Sequence, residues 1–437
     1  MNVLKAFCSL ASLTFVSRVT GFLKVAAFAA FYGRSSEADM FLAVMILPDL
    51  LYRFLSEGLV SSASVPLFVE LREDKKKLVR AIVTISWIAF LFSAAIAIIF
   101  SVFSAELCSF FTPGFTVTNL SRMRQLWSIT TLYLVAGVLA GVFTSLLNAY
   151  GYFALPAVGP LLVNLSTIIG IFVARGGPVE IITYAVVLGS VAQLLWLLFL
   201  VKRYDFSLTI KNFYSDFDSG IASSFIRSVF PVAAWISVLP FIPVYERYLL
   251  SMQPTGSVAA LNYIEKLFNL PLGILSISLA RAILPELSRL HGVNRNRFLF
   301  RMLMISTIVI TPVVIISFVF SEQIVEIVFK RGRFSLDDAI VAARLFRCYS
   351  FALLPTTLCM LLNRGFFASK NYFVPFLAGL IAAIVQFYTG RPFVEHFGAG
   401  GIGYAAAVAF SAQLVILLVA ELWFSASEKP GSAVKPN

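Results

Sequence analysis

Long apolar runs recur along the whole chain, and the first two of them contain charged residues. A membrane-spanning helix needs about 20 predominantly apolar residues, and the stretch 17–66 is long enough for two such helices in succession. This stretch nevertheless includes Arg18, Lys24, Asp39, Asp49, Arg53 and Glu57. Because a charge at the bilayer centre costs roughly 2.5–3.5 kcal/mol on insertion scales, each of these side chains needs an explanation.

Two interpretations of these charges are open. Charged side chains near helix ends can extend to the lipid headgroups, which suits Arg34, Glu37 and Asp39. Arg18 and Lys24 instead have apolar sequence on both sides. That position favours a water-filled path through the protein, where a charge is solvated.

The composition excludes an ordinary soluble domain. The 437 residues are 59% hydrophobic and only 13% charged, whereas soluble domains contain about 25% charged residues. A membrane β-barrel would show short alternating segments rather than long apolar runs. The net charge of +12 is typical of the basic cytoplasmic loops of membrane proteins, so we expect no nucleic-acid partner.

We predict about twelve membrane-spanning helices from runs of sufficient length. The predicted spans are 7–31, 39–68, 78–103, 122–147, 155–174, 180–201, 222–250, 258–288, 298–320, 338–363, 372–389 and 401–424. The first run has full length after a single lysine, so we expect a membrane helix rather than a cleaved signal. The basic segments 72–77, 202–211 and 289–297 all follow even-numbered spans. We therefore expect both termini in the cytoplasm.

The chain contains an internal repeat. VPLFVELRED at 65–74 is matched by LPELSRLHG at 284–292, and LLNAYGYFALPAVGP at 146–160 by LLNRGFFASKNYFVP at 361–375. Transporters are often built from two such helical bundles, with the substrate site between them. We therefore predict an all-α polytopic membrane protein of two six-helix lobes around a central cavity. The predicted parts are a lobe over 1–201, a linker over 202–220, a lobe over 221–424 and a disordered tail over 425–437.

The second predicted helix has a candidate polar face. If this helix is straight, Asp39, Arg53 and Glu57 lie on one side of it, although Pro48 can bend it. On the first helix, Ser17 is small enough to permit close packing or the approach of a ligand.

Charges in the second half of the chain lie on separate helices. Glu265 and Lys266 are neighbours in the eighth predicted helix, and Arg364 lies at the inner end of the tenth. We expect Glu246 and Arg247 at the membrane interface. In the first half, deep cations outnumber deep anions, and a cationic cavity suits phosphate or pyrophosphate through charge-assisted hydrogen bonds.

Enzymatic and metal chemistry have no support in the sequence. The four cysteines, Cys8, Cys108, Cys348 and Cys359, show no metal spacing and no disulfide framework. No nucleophile–base pair and no phosphate-binding loop occurs. We therefore expect no enzymatic activity, no cofactor and no bound metal.

Several segments resemble one family of membrane transporters. MNVLKAFCSLASLTFVSRVTGFLKVAAFAAFYG, ADMFLAVMILPDLLYRFLSEG, LLNAYGYFALPAVGPLLVN and IEKLFNLPLGILSISLARAILPELS are similar to the MurJ/MviN family of lipid II flippases. That family belongs to the multidrug/oligosaccharidyl-lipid/polysaccharide exporter superfamily. The resemblance implies a bacterial inner-membrane protein. It also implies that undecaprenyl-pyrophosphate-linked peptidoglycan precursor moves to the outer leaflet by alternating access of two lobes.

The resemblance also implies roles for residues. The cations of the family's central cavity correspond to Arg18, Lys24 and Lys266, which would contact the pyrophosphate, with Arg53 and Ser17 as further substrate-binding candidates. The remaining matched positions are gating or structural charges: Asp39, Glu57, Glu265 and Arg364. Of these, Glu57 and Arg364 would help to close the cytoplasmic gate.

The chain departs from the family pattern at several points. Lys24 and Lys266 stand where arginine is usual, which keeps the charge but loses the planar fork of donors. Tyr52 also occupies a position that is usually arginine. Family members commonly have two more C-terminal helices, and the acidic residues of a cation site in the second lobe of some members are not found here.

These arguments predict a lipid II flippase. Its predicted partners are lipid II as the substrate, membrane lipids and cell-wall synthesis proteins. Two alternatives remain open. One is a polysaccharide-unit or multidrug exporter of the same superfamily, and the other is a non-transporting scaffold for cell-wall assembly.

Overall fold

The computed structural model describes residues 3–204, 206, 208, 216–236, 241–290, 292–369 and 371–427. These residues are almost entirely helical, as the apolar runs predict. Their contacts group into two compact units, Met1–Ala259 and Ala260–Asn437. Much of the predicted linker and most of the predicted tail lie outside the described residues, so the predicted lobe boundaries stay a prediction.

The first unit begins with helices that follow the predicted spans closely. Its α-helices are α1 (Val3–Tyr32), α2 (Ser36–Tyr52), α3 (Ser61–Glu70), α4 (Lys75–Val102), α5 (Ser104–Phe111), α6 (Val117–Ala149), α7 (Gly159–Ala174), α8 (Glu180–Arg203), α9 (Ser219–Ile236) and α10 (Phe241–Ser251). A short 3₁₀ turn, Pro156–Val158, leads into α7. Asp74 caps α4 by accepting the N–H of Lys77 at 3.0 Å, and this hydrogen bond lowers the pKa of the Asp74 carboxyl.

Helix α6 lies at the centre of the first unit. It contacts α2, α3, α4, α5 and α8, and its side chains Leu146 and Leu147 are fully buried in the apolar core. Gly137 and Gly141 lie one turn apart on α6, and a Cβ atom on either would meet Tyr52 or Ser56 at less than 3 Å. Small residues at this spacing let two helices approach closely, so α6 lies directly against the end of α2.

In each unit, a π-helical segment lies between two consecutive α-helices. Arg53–Val60 lies between α2 and α3. In the second unit, Leu272–Ser276 lies between the helices Ser257–Pro271 and Ile277–Arg289. In a π-helix each N–H bonds to the carbonyl five residues back, which changes the helical register. Because the register changes from Arg53 onward, Glu57 does not keep the alignment with Asp39 that a regular α-helix would give.

The second unit contains the remaining helices. They are α11 (Ser257–Pro271, which begins in the first unit), α12 (Ile277–Arg289), α13 (Gly292–Val319), α14 (Ser321–Phe329), α15 (Leu336–Ser350), α16 (Leu353–Ala368), α17 (Phe373–Phe397) and α18 (Gly401–Ser427). Leu299, Leu361 and Leu417 form part of a core between α13, α16 and α18. A buried ion pair joins two of these helices, because Arg295 Nη1 donates to Glu421 Oε1 at 2.8 Å.

The described helices are those of a multi-pass membrane protein. Seven helical stretches of the described chain are long and apolar enough to cross a membrane, or eight if the bent pair α15 and α16 forms one span. One stretch, Phe373–Phe424, covers both α17 and α18. The predicted number of twelve is therefore not confirmed. Side chains such as Ile169, Leu188, Ile308 and Val419 are more than 60% exposed, which is typical of surfaces that face lipid.

Candidate functional site

The first helix holds two of the predicted site cations inside an apolar span. Arg18 is exposed and Lys24 is half-buried, and both belong to the membrane-span candidate Phe15–Tyr32. Directly before Arg18, α1 contacts α7, because Asn164 Nδ2 donates to the carbonyl of Ser17 at 3.3 Å. Ser17 therefore contributes to helix packing through its backbone, while Arg18 presents its charge away from the protein core.

Asp39 is a buried structural carboxylate. It is 4% exposed, so it does not extend to the lipid headgroups. Its two oxygens accept the backbone N–H of Gly256 and, at 2.7 Å, that of Ala259. These donors lie at the start of α11, where four N–H groups have no partner within the helix. Asp39 therefore caps α11 from a helix more than two hundred residues away in sequence.

The turn before α11 is fitted to the end of α1. Gly256 has a φ of +88°, and a Cβ on it would meet the Arg34 carbonyl oxygen at 2.4 Å. Arg34 Nε donates to the Gly256 carbonyl at 3.2 Å. Only glycine adopts this conformation without strain and leaves room for Arg34. The turn thereby places the N–H of Gly256 where Asp39 accepts it.

Arg53 has a carboxylate partner. Its Nη2 lies 3.3 Å from Asp49 Oδ2, and its side chain is 59% exposed. Asp49 also accepts the hydroxyl of Tyr133 at 3.2 Å. The charge of Arg53 is therefore partly neutralised, which leaves less of it for a ligand. Glu57 lies in the π-helical segment, but its side chain is outside the part of the chain that the structure describes.

The second unit holds the other three predicted site residues. Glu265 and Lys266 are both half-buried on α11, beside the fully buried Tyr263 and Ile264. Arg364 is half-buried on α16, with its guanidinium carbon 5.8 Å from the centre of the Phe367 ring. These charges lie on the two helices of this unit that the sequence predicted.

Glu246 and Arg247 are buried within the protein. Each is 3% exposed on α10, and Arg247 Nη1 lies 3.8 Å from Glu246 Oε2. Arg247 also donates to the carbonyl of Pro243 at 3.3 Å. Neighbouring charges on a helix can both be buried when each finds polar partners. Their depth in the membrane stays a prediction.

Three charged residues that the sequence reasoning did not place together join the ends of three helices. Arg122 at the start of α6 bonds Glu37 on α2 and, at 2.8 Å from Nη2, Glu180 at the start of α8. A carboxylate in the first turn of a helix is favoured by the helix dipole. These hydrogen bonds fix the three helix ends and engage all three guanidinium nitrogens of Arg122.

The first unit also contains a cavity of about 370 Å³ that sequence reasoning missed. It lies between the π-helical segment, α6, α8 and the loop before α7, and none of its lining residues is acidic or basic. Its polar and aromatic lining includes Tyr52, Ser56, Thr144, Asn148, Phe153 and Gln193. Because uncharged polar residues are common in membrane helices, their pattern gave no signal in the sequence.

The comparisons with known proteins identify the family. The family model described as lipid II flippase MurJ matches residues 28–422. The chain belongs to the MurJ family. A probable lipid II flippase MurJ of Buchnera aphidicola subsp. Baizongia pistaciae is 27% identical over 91% of this chain and 79% of its own length. The lipid II flippase MurJ of Burkholderia cenocepacia is 26% identical over 96% of this chain and 84% of its own length.

Solved structures share the MurJ fold. The inward closed conformation of lipid II flippase MurJ has a TM-score of 0.81 at 23% identity, covering 94% of this chain and 87% of the other. An inward-facing multidrug resistance MATE family transporter has a TM-score of 0.79 at 15% identity, covering 98% of this chain and all of the other. At such identities the likeness shows the fold alone, which MurJ and MATE transporters have in common.

Proposed function

We propose that this chain moves lipid II from the inner to the outer leaflet of a bacterial inner membrane by alternating access. The observation that carries the proposal is the family match over residues 28–422, together with Arg18 and Lys24 inside an apolar span. Membership of a transporter family also supports a role without catalysis. Both termini lie in the cytoplasm in this proposal, as the basic loops predict.

The pyrophosphate is the group that the cations would bind. In the proposal, Arg18, Lys24 and Lys266 neutralise its charges, and the guanidinium of Arg18 offers two parallel hydrogen bonds. Arg53 contributes less, because Asp49 already pairs with it at 3.3 Å. Asp39 supports the site structurally, Glu265 accompanies Lys266, and Glu57 and Arg364 take part in closing the cytoplasmic side.

The charge balance distinguishes this proposal from drug export. An exporter of cationic drugs needs buried carboxylates directed at its substrate, whereas Asp39 is already engaged by the N–H groups of Gly256 and Ala259. The charged residues within the apolar span of α1, Arg18 and Lys24, are both positive. A cationic path attracts anionic substrates and repels cationic ones, so a lipid pyrophosphate fits better than a cationic drug.

The test is complementation with a direct assay of transport. A host depleted of its resident lipid II flippase receives this chain or its Arg18→Ala variant, and lipid II on the outer leaflet is measured. We expect the unaltered chain to restore exposure and Arg18→Ala to reduce it about tenfold or more, since a charge-assisted hydrogen bond is lost.

The matched control is Arg297→Ala, which removes an exposed arginine near the start of α13. It should restore exposure as well as the unaltered chain does. Full activity of Arg18→Ala at equal membrane expression would refute the cavity assignment. Drug efflux without any effect on lipid II exposure would favour the exporter, and growth support without transport would favour the scaffold.

A further inference from the structure

The uncharged cavity of the first unit contains polar side chains that no neighbour satisfies. Gln193 is 5% exposed, and no hydrogen bond joins its amide to any other residue in the described part of the chain. The same holds for the hydroxyl of Ser56, which is 4% exposed, and for the side chains of Thr144 and Asn148. Gln193 and Ser56 are buried, whereas Thr144 and Asn148 are half-buried. Because buried polar groups are almost always hydrogen-bonded in proteins, we expect whatever fills the cavity to supply their partners.

The local backbone explains why these side chains have no internal partner. Serine and threonine in α-helices often bond to a carbonyl of the preceding turn, as Ser145 does to Gly141 at 2.8 Å. Ser56 instead lies in the π-helical segment and is directed at α6. Gln193 is held from the other side, because its Cγ would lie 2.8 Å from a Cβ on Gly159. The donors and acceptors are thus held in place by close packing.

The lining defines the chemistry of a ligand. It contains hydroxyl groups, two carboxamides and two aromatic rings, and none of its residues is acidic or basic. Such a lining does not select a phosphate or a metal ion, which bind to charged groups. It suits a ring that has hydroxyl and amide groups on its edge and apolar C–H groups on its faces. Its volume of about 370 Å³ is within the range of small-molecule pockets.

We propose that this cavity binds an N-acetylated sugar ring of the transported headgroup. Gln193 and Asn148 would bond the acetamido and hydroxyl groups, Ser56 and Thr144 would bond further hydroxyls, and Tyr52 or Phe153 would lie against a face of the ring. The inference rests on the proposed function, because a peptidoglycan precursor carries such sugars. It assigns recognition of the sugar to the first unit, apart from the cations that would bind the pyrophosphate.

Tyr52 gives the cavity its uncharged character. It lines the cavity, and its ring packs 5.7 Å from that of Tyr133 and against the open face of Gly137. An arginine at this position would bring a charge to the cavity wall. The tyrosine therefore favours a neutral ligand group at this point.

The first experiment uses the full chain in lipid nanodiscs and a soluble probe, the β-1,4-linked disaccharide of N-acetylglucosamine. Saturation-transfer NMR would be recorded for the unaltered chain, for Gln193→Leu and for Thr144→Val. We expect a signal from the unaltered chain and binding about tenfold weaker in either variant, which corresponds to about 1.4 kcal/mol. The control Gln413→Leu removes another buried glutamine, on α18, and should bind normally.

Two results would overturn the inference. One is the absence of a signal from the folded, unaltered chain, which would mean that water alone fills the cavity. The other is equal binding by the unaltered chain, Gln193→Leu and Thr144→Val. Thr144→Val keeps the shape of the side chain, so it tests the cavity even if Gln193→Leu does not fold.

A second measurement separates this inference from the proposed function. Vesicles with the full chain would be supplied with undecaprenyl pyrophosphate or with the same lipid bearing the amino-sugar disaccharide. If Gln193-dependent disaccharide binding occurs without transport of either lipid, the proposed function fails and the cavity assignment stands. If Gln193→Leu transports both lipids with the unaltered preference, the cavity assignment fails and the proposed function stands.

Discussion

At the scale of single residues, the same kind of side chain has opposite roles depending on its partners. Asp39 and Arg18 are both charges in the first two helices, yet Asp39 is buried against two N–H groups and Arg18 is exposed within an apolar span. A buried carboxylate with satisfied oxygens stabilises the fold, whereas a cation within an apolar span is costly unless polar groups, water or an anion surround it. Sequence alone places both residues but does not distinguish these roles.

Replacement of Asp39 tests its structural role. We expect Asp39→Ala to lower the free energy of unfolding by about 2 kcal/mol, because two buried N–H groups at the start of α11 lose a charged acceptor. Asp39→Asn keeps one oxygen and should lose less. The midpoint of thermal unfolding in detergent measures this, with Asp74→Ala, the exposed cap of α4, as control. Equal, small shifts for Asp39→Ala and Asp74→Ala would contradict the buried-cap explanation.

At the scale of helices, the π-helical segment between α2 and α3 lies in close contact with α6. Ser56 lies in the middle of the π-helical segment. A Cβ atom added to Gly141 would be 2.2 Å from the Oγ of Ser56. In the second unit, the π-helical segment Leu272–Ser276 separates α11 from α12 in the same way. Because π-helical turns are rare and often mark functional positions, their recurrence at matching positions of the repeat supports the predicted likeness of the two halves.

Two glycine-to-alanine changes distinguish the effect of this contact on stability from the effect of helix propensity. Alanine is the better helix former by about 1 kcal/mol, so Gly379→Ala on α17 should raise the midpoint of thermal unfolding slightly or leave it unchanged, since its nearest neighbour would be 3.9 Å away. Gly141→Ala should lower it, because overpacking typically costs about 1–3 kcal/mol. If both variants respond alike, the contact between α6 and Ser56 is not as tight as described.

At the scale of the whole molecule, apolar periodicity and length predicted the helices but not their interruptions. Every predicted run overlaps a described helix or pair of helices, since burial in lipid requires long apolar runs. The π-helical segments lie inside predicted runs, and the length of a run does not distinguish a π-helix from an α-helix. The candidate site was likewise predictable only in part. Arg18 and Lys24 are recognisable in the sequence as charges in an apolar run, whereas Gln193 and Ser56 become candidates only through the cavity that they line.

The orientation and the number of crossings make one joint prediction. Lys76, exposed at the start of α4, should lie in the cytoplasm, and Asp337, exposed at the start of α15, should lie outside. In a chain whose four native cysteines are replaced by alanine, a membrane-impermeant maleimide should label Asp337→Cys in intact cells. It should label Lys76→Cys only after permeabilisation.

The four outcomes of this experiment have different meanings. The expected pattern requires an odd number of crossings between the two residues, as the predicted spans give, and places the basic loops in the cytoplasm. The reverse pattern keeps that parity but inverts the protein, so that the basic segments would face outward against the usual charge bias. Labelling of both or neither in intact cells would make the number of crossings even. One of the intervening helices would then enter the membrane without crossing it, and the basic segment around Arg331 and Arg333 on the approach to α15 would be the first place to look for it.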